Sequence, residues 1–269
     1  MFYWRDEPDR MEESIARFRP LLEKSPHPGD RAALLNSLTL LNWRRHHGIS
    51  DEGLEYARLS YETYLETGDP EQIAWALFMR GFAFFWHGEP KPAKEYLEKA
   101  LREGERMRSA HLVSRASTYL MAASRCALEI DEAKRLIPQV LAAADTAGLP
   151  EYSAMAYATE SWVAWRGGDY QKAVDRGERA LKIWGEVPNR YPCDWMAIWP
   201  LVAILLDRHD ASGALDLARA LLHPSQQPPP LELSRLIREA VRLGETGDLP
   251  AAGRALAKAL EVARELHYA

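Results

Sequence analysis

Few side chains in this sequence have the spacing that catalysis or metal binding requires. The two cysteines, Cys126 and Cys193, are too far apart for a CxxC metal or redox motif. The adjacent His46 and His47 would point apart on a helix, and no HxxxH or HExxH pair occurs. The GxxxxGK[ST], GxGxxG and GxSxG motifs of nucleotide binding and hydrolysis are also missing. We therefore predict no catalytic residue, no metal site, no cofactor and no enzymatic activity.

The side chains best suited to chemistry are those that bind rather than react. The stretch AWALFMRGFAFFWHGEP, residues 74–90, places six aromatic residues within twelve positions. Three explanations compete: a packed core, a membrane segment, or an aromatic surface that contacts a partner. The apolar run is only about 15 residues long and contains Arg80, whereas a membrane-spanning helix needs roughly 20 apolar residues. The run is therefore either core or a recognition surface.

Composition places the chain among soluble proteins. It has 269 residues, 47% of them hydrophobic, which is enough for a continuous core. The net charge of -5 argues against a nucleic-acid partner, since domains that bind nucleic acids usually carry a basic excess. The N-terminal sequence MFYWRDEPDRMEE lacks the basic and apolar regions of a secretory signal. We expect a cytoplasmic protein without nucleic-acid or membrane partners.

The elements that position these residues are helices. Ala, Leu, Glu, Arg and Lys dominate, and no window shows sustained period-two alternation of apolar residues. Helical windows alternate with Gly, Asp or Pro and form pairs, each with an inner helix followed by an outer one. We predict inner helices at 30–47, 70–87, 109–128, 150–166, 193–208 and 231–244, and outer helices at 50–67, 90–107, 130–147, 169–186, 210–222 and 249–267.

The helix pairs repeat. GEPKPAKEYLEKAL (88–101) aligns without gaps with GDYQKAVDRGERAL (168–181), and four more diverged copies keep the same register. One small residue recurs at intervals of 38–41 residues: Gly53, Ala93, Ala133, Ala173, Ala214 and Ala252. Only Gly or Ala lets crossing backbones approach closely, and a larger side chain would cost about 1–3 kcal/mol. Gly81 and Gly177 are predicted to mark further close contacts, since Gly inside a helix needs compensation.

The repeat resembles a known family. In the second copy, six positions are similar to the tetratricopeptide repeat signature: Gly81, Phe84, Gly88, Ala93, Leu97 and Ala100. The third copy departs from the signature, because Leu128 takes the place of the turn glycine and Val140 that of the last alanine. The period near 40 exceeds the usual 34. Lengthened repeats of this kind look like the C-terminal sensor arms of bacterial regulatory ATPases, transcriptional activators and multidomain adenylyl cyclases.

The resemblance implies an all-α fold: a right-handed superhelical solenoid of about six antiparallel helix pairs, whose inner helices line a concave groove. It also implies that the second, fifth, ninth, twelfth and thirteenth positions of each repeat face that groove. The predicted binding residues at these positions are Trp75, Phe78, Phe82, Phe85, Trp86, Arg115, Arg125, Trp162, Trp165, Arg166 and Trp199. By the same count, Phe84 falls on a packing position. Whether the groove aromatics are core or binding surface stays open at this stage.

The predicted organisation has four parts. Residues 1–28 contain an unpaired or capping helix, residues 29–222 form five helix pairs, HPSQQPPP at 223–230 is a linker, and residues 231–269 form the last pair. Four prolines prevent the linker from continuing a helix. The helix MEESIARFRPLLEKS (11–25) has no inner partner before it. Either it caps the first pair, or its upstream partner helix is absent. In the second case we expect that the chain is one piece of a longer architecture, or that Phe2, Tyr3 and Trp4 dock on another subunit.

Three functions fit these residues to different degrees. The leading one is a non-enzymatic scaffold that binds a protein or peptide in the groove, where aromatic walls bury apolar anchors and arginines pair with carboxylates. The alternative is a sensor of a small ligand such as a sugar, enclosed by aromatic faces. An enzyme would need a titratable cluster, and the best-placed groups, Arg45, His46, Arg166 and Asp207, suggest no reaction. The resemblance adds a regulatory or signalling role in bacteria.

Overall fold

The computed structural model describes residues 8–46, 48–188 and 192–269, and every regular element in them is an α-helix. The predicted helices are confirmed, with ends that agree to within three residues. Their bounds are α1 Pro8–Leu22, α2 Pro28–Arg45, α3 Asp51–Thr67, α4 Pro70–His87, α5 Pro90–Met107, α6 Ala110–Cys126, α7 Ile130–Ala147, α8 Pro150–Arg166, α9 Tyr170–Glu186, α10 Trp195–Asp207, α11 Ala211–Ala220, α12 Leu231–Glu245 and α13 Leu249–Glu265. None of the helices described is both long and apolar enough to cross a membrane.

Several helices begin at carboxylate caps. The Asp69 side chain accepts hydrogen bonds from the backbone N–H groups of Glu71 and Gln72 at 2.9 and 3.3 Å. Pro70 follows the cap, where its missing N–H costs nothing because the first N–H groups of a helix have no partner within it. Asp169 repeats the cap with the N–H of Lys172 at 3.1 Å. These caps satisfy the exposed donors of the first turn and fix where each helix starts.

Several helices end in left-handed turns. Gly68 and Gly88, with φ of 65° and 90°, reverse the chain after α3 and α4. Leu128, which replaces the turn glycine of the third repeat, adopts the same conformation with a φ of 58°. The turn geometry is thus kept where the signature residue is lost, at a cost of roughly 1–2 kcal/mol for a side chain in this region.

The chain divides into two compact units. The first contains residues 1–127 and 142–149, and the second contains residues 128–141 and 150–269. In the first unit, α1 packs on α2, the pairs α2–α3 and α4–α5 stack, and α6 lies against both α4 and α5. In the second unit, the pairs α8–α9, α10–α11 and α12–α13 stack, and α10 also contacts α8 and α13.

The repeat register is confirmed by burial. The five alanines of the register, Ala93, Ala133, Ala173, Ala214 and Ala252, are all 0% exposed. At the sixth position, a Cβ on Gly53 would lie 2.4 Å from Asn42 Oδ1. That amide holds the α2–α3 turn, since Asn42 Oδ1 accepts from the backbone N–H of Ser50 at 2.9 Å and Nδ2 donates to its hydroxyl at 2.8 Å. The sequence period therefore marks the places where paired helices touch.

The two additional glycines mark close contacts, as predicted. A Cβ on Gly81 of α4 would lie 2.6 Å from Leu97 Cγ and 3.1 Å from the Leu97 backbone nitrogen on α5. A Cβ on Gly177 of α9 would meet Leu201 and the Ser161 hydroxyl at 3.0 Å. Gly81 therefore lets α5 approach α4 closer than an alanine would allow, and Gly177 does the same for α8 and α10 against α9.

Replacing Gly81 by alanine tests this close approach. We expect Gly81→Ala to destabilise the protein by about 1–3 kcal/mol, because the new methyl group overlaps the fully buried Leu97. Gly185→Ala is the matched control, since a Cβ there meets nothing within 4 Å and alanine favours the helix by roughly 0.5–1 kcal/mol. In urea denaturation followed by circular dichroism, the two substitutions should shift the unfolding midpoint in opposite directions. Equal shifts of the two unfolding midpoints would show that Gly81 does not lie in close contact with Leu97.

The proline-rich segment between α11 and α12 has no regular helix but packs against the protein. Ser225, Gln226 and Gln227 are buried. The Gln226 side-chain oxygen accepts from the backbone N–H of Asp194 at 3.0 Å, and the Gln227 N–H donates to the carbonyl of Pro192 at 3.3 Å. The segment therefore lies on the residues that precede α10. The four-part division of the chain stays a prediction.

Candidate functional site

In the first unit, the predicted groove aromatics of α4 form one packed layer with Trp43 and Tyr119, two residues that the repeat register did not assign to the groove. We call it the aromatic layer, and its members come from the inner helices α2, α4 and α6: Trp43, Trp75, Phe78, Phe82, Phe85, Trp86 and Tyr119. Phe82 lies at its centre, with ring centroids 5.2 Å from Trp43 and 5.1 Å from Tyr119, both edge to face. Such geometry is favourable for aromatic pairs and adds to the free energy of burial.

Most of the aromatic layer is buried. Phe78 and Phe82 are 4% exposed, and Phe85 and Trp86 are 8% exposed. These side chains of α4 thus pack between α2 and α6 and contribute to the core. Trp75 differs because it is half-buried, at the end of the layer where α4 begins, with its ring 6.0 Å from Phe78.

Arg115 lies over this one half-exposed ring. Its guanidinium carbon is 5.4 Å from the Trp75 ring centroid, which is within the range of a cation–π interaction. Arg115 is itself half-buried on α6. Trp75 and Arg115 occupy equivalent positions in successive repeats of the sequence, and the structure brings them together.

Arg80, the one charge within the aromatic run, serves the fold. Its guanidinium donates to the carbonyl of Leu54 at 2.7 Å and lies 4.4 Å from the Phe84 ring centroid. Phe84 in turn stacks on Tyr96 of α5 at 5.6 Å, so it packs against the second helix of its pair, as predicted. The buried cation joins α3, α4 and α5.

In the second unit, Trp162, Trp165 and Arg166 come together near the end of α8. The Arg166 guanidinium carbon lies 5.5 Å from the Trp162 centroid and 5.6 Å from the Trp165 centroid. Trp162 is fully buried and Trp165 is 7% exposed, whereas Arg166 is exposed. Partial burial lowers the pKa of Arg166, and repulsion from Arg264 lowers it further, although an arginine remains protonated.

Two more of the predicted binding residues are enclosed by the protein. Trp199 of α10 and Arg125 of α6 are each 1% exposed. Their register is the predicted one, but their side chains do not reach the surface. Repeat position alone could not show this, because it fixes which face of a helix a residue occupies and not how deeply that face is covered.

Arg264 is a residue of this site that the sequence did not single out. It lies on α13, the second helix of the last pair, and its guanidinium carbon is 5.1 Å from the Trp165 ring centroid. The repeat register assigns the groove to inner helices only, so an outer-helix arginine was outside the prediction. The positive charge of its side chain is the one sequence feature that could have indicated a binding role for Arg264.

One of the titratable groups considered for catalysis has a structural role. Arg45 pairs with Asp9 and Glu12 and so holds α1 against the end of α2. Among the described residues, no three His, Cys, Asp or Glu side chains are grouped so that they could hold a metal ion. Phe2, Tyr3, Trp4 and His47 lie outside the described residues.

The Cys126 thiol is a poor nucleophile. Burial raises its pKa to about 11, so only a trace is thiolate near neutral pH. At pH 8 we expect iodoacetamide to alkylate Cys126 about 100-fold more slowly than in the urea-unfolded chain, because an unfolded thiol has a pKa near 8.5. The rate should rise tenfold per pH unit up to pH 10. Mass spectrometry of a Cys193→Ala variant checks this, and equal rates in both states would contradict it.

The second unit also contains a cavity of about 580 Å3 between the first half of α7, α8 and the start of α9. Aliphatic side chains, including Ile137, Leu141 and Val163, form part of its wall. Glu160 lies within it and pairs with Lys172 at 3.0 Å and Arg176 at 3.1 Å. None of the predicted groove residues lines this cavity.

Comparisons with known proteins support the fold. No family model matches the sequence, and no curated protein matches it. Aspartyl phosphate phosphatase F from Bacillus subtilis is similar in structure, with a TM-score of 0.65 at 14% identity over 98% of this chain and 69% of that one. A Rap protein complexed with Competence and Sporulation Factor gives 0.64 at 14% identity over 97% and 72%. The apo form of RapI gives 0.61 at 12% identity over 96% and 72%.

These neighbours are helical repeat proteins of the tetratricopeptide-like kind. The chain is therefore an all-α solenoid of tetratricopeptide-like helix pairs, as the sequence period predicted. The burial of the register alanines agrees with this fold. Identities of 12–14% establish similarity of fold alone.

Proposed function

We propose that this protein is a non-enzymatic scaffold that binds a protein or peptide partner on the surface of its inner helices. One observation carries the proposal. At the end of an otherwise buried aromatic layer, Trp75 keeps part of its ring exposed beneath the Arg115 guanidinium. Tryptophan and arginine are the residues most enriched where binding energy concentrates.

The similarity of fold to a Rap protein crystallised with Competence and Sporulation Factor supports this proposal. A solenoid of stacked helix pairs offers an extended surface that a peptide can follow. The buried members of the aromatic layer would then hold α4 rigid, while Trp75 makes the contact with the partner. A rigid site loses less conformational entropy when it binds.

A peptide selection tests the proposal. A random dodecapeptide library displayed on phage is selected on the immobilised protein, and the affinity of enriched peptides is measured by fluorescence anisotropy. We expect Trp75→Ala to weaken binding by about tenfold or more, as loss of a binding hot spot does. Tyr170→Ala is the control, because this exposed ring lies at the start of the outer helix α9. No enrichment, or equal affinity for Trp75→Ala and wild type, would overturn the proposal.

A small-ligand sensor is a second candidate, favoured by the cavity of about 580 Å3 in the second unit. Its volume is typical of ligand sites, and Lys134, Tyr157 and Glu160 give it polar groups around an aliphatic wall. A panel of mono- and disaccharides is screened by thermal shift. A ligand of this cavity should raise the melting temperature of the wild type and not of Leu141→Trp, which narrows it. If no sugar stabilises the wild type, this candidate fails.

The regulatory role remains part of the proposal. The period near 40 supports a module like the sensor arms of bacterial regulators. Self-association through α1 is proposed separately, because Phe18 and Leu21 on that helix are 49% and 69% exposed. Light scattering measures the molar mass of the wild type and of Leu21→Glu in solution. A dimeric wild type and a monomeric variant would support self-association through α1, and two monomers would contradict it.

A further inference from the structure

Two arginines from distant parts of the sequence meet at one indole in the second unit. The guanidinium carbons of Arg166 and Arg264 lie 5.6 and 5.1 Å from the centroid of the Trp165 ring. Arg166 is the last residue of α8, and Arg264 lies near the end of α13. We call these three residues the double-arginine site.

Some arginines of the protein pair with carboxylates, and within the described residues these two do not. Arg58, for example, pairs with Glu55 and Glu62, and Arg176 pairs with Glu160. Within residues 8–46, 48–188 and 192–269, no carboxylate oxygen comes within 4.0 Å of a nitrogen of Arg166 or Arg264. Two positive charges are therefore held beside one ring, with no carboxylate of the described residues within 4.0 Å of either guanidinium.

The arrangement is electrostatically unfavourable in the free protein. Partial burial lowers the pKa of Arg166, and repulsion from the like charge of Arg264 lowers it further. An anion placed between or beside the two guanidiniums removes this repulsion and makes charge-assisted hydrogen bonds with both. The two guanidiniums are thus suited to bind a negatively charged group of a partner.

We infer that Trp165, Arg166 and Arg264 bind an acidic segment of the peptide partner, with Asp or Glu carboxylates on the two guanidiniums. This inference rests on the proposed peptide-binding function and names the chemistry of the partner. All three residues belong to the second unit, so the assignment concerns that unit by itself.

A peptide is favoured over a nucleic acid, which is also anionic. Nucleic-acid binding needs many cations along a track and usually a basic domain, whereas this chain has a net charge of -5. Two guanidiniums beside one indole match a pair of carboxylates rather than a repeating phosphate backbone.

A charge-balanced peptide array tests the inference. Dodecapeptides from strongly acidic to strongly basic, each with the same apolar content, are probed with wild type and with Arg166→Gln, Arg264→Gln and the double variant. Arg254→Gln is the control, an exposed arginine on the same helix as Arg264. Circular dichroism and thermal melting establish whether each variant is folded. Arg264 is exposed, so Arg264→Gln still tests the inference if Arg166→Gln does not fold.

We expect the wild type to prefer acidic peptides and each single variant to bind them about tenfold more weakly, as loss of one charge-assisted contact would do. The double variant should also lose most of the salt dependence of binding, while Arg254→Gln behaves as wild type. Peptides bound without an acidic preference, or acidic peptides bound equally by the double variant, would overturn the inference and leave the proposed function standing. An array with no bound peptide would overturn both, and displacement by single-stranded DNA at equal concentration would overturn the assignment to a peptide.

Discussion

Phe82→Ala should destabilise the protein by about 3–5 kcal/mol, the range found when a buried phenylalanine is removed from a core. Phe82 is 4% exposed and packs against Trp43, Phe78, Trp86 and Tyr119, with centroid distances between 5.1 and 6.3 Å. Its removal leaves a cavity at the centre of the aromatic layer that three inner helices would have to close. Urea denaturation followed by circular dichroism measures the loss.

Trp75→Ala is the matched control for this experiment. Trp75 belongs to the same helix and the same aromatic layer, but its ring is half-buried and packs against Phe78 at one end only. We expect the substitution to cost about 1 kcal/mol, because less apolar area returns to water. If Trp75→Ala cost as much as Phe82→Ala, the ring would be core, and its assignment to the binding surface would be wrong.

Gly48→Ala should cost about 3–5 kcal/mol, although it adds only one methyl group. A Cβ at this position would lie 2.3 Å from the backbone carbonyl oxygen of Trp86, and backbone cannot move aside as a side chain can. The same carbonyl accepts the N–H of Ile49 at 3.0 Å, so the clash also breaks a hydrogen bond worth about 1 kcal/mol. The φ of 72° at Gly48 adds a further cost of roughly 1–2 kcal/mol for alanine.

Gly68→Ala separates the clash from the backbone conformation. Its φ is 65°, close to that of Gly48, but a Cβ there meets nothing within 4 Å. We expect it to cost only about 1–2 kcal/mol, the penalty for a left-handed alanine. The difference between the two variants in the free energy of unfolding then measures how tightly the α2–α3 turn lies on the end of α4. Similar losses for both would show that the turn does not touch Trp86.

The fold could be read from the sequence because its signals are local and periodic. Ala93 and Ala173 recur with the small residues of the other repeats, and each is fully buried where two helices meet. Asp69 and Asp169 indicate where helices start, because their side chains accept hydrogen bonds from backbone N–H groups of neighbouring residues. Gly68 and Gly88 indicate where helices end, because they adopt the left-handed conformation of helix ends. Even Leu128 keeps the turn conformation that the register requires.

The candidate site was less predictable because burial depends on residues distant in sequence. The register placed Trp75 and Phe82 on one face of α4, but only packing with Trp43 of α2 and Tyr119 of α6 makes one ring half-exposed and the other enclosed. Arg125 and Trp199 show the same effect at other positions.

Arg264 is the clearest case of a residue that periodicity could not supply. It lies on an outer helix and reaches Trp165 only because the last helix pair packs near the end of α8. Nothing in its own repeat distinguishes it from Arg254, which has the same side chain on the same helix.

Site-specific photo-crosslinking tests most directly whether a peptide lies on the inner helices. A benzophenone amino acid replaces Trp75, Tyr170 or Leu249, and each variant is irradiated with a peptide from the phage selection. The last two positions are exposed and lie at the starts of the outer helices α9 and α13. We predict a crosslink at position 75 and none at 170 or 249. Crosslinks at 170 or 249 without any at 75 would contradict binding at the inner helices.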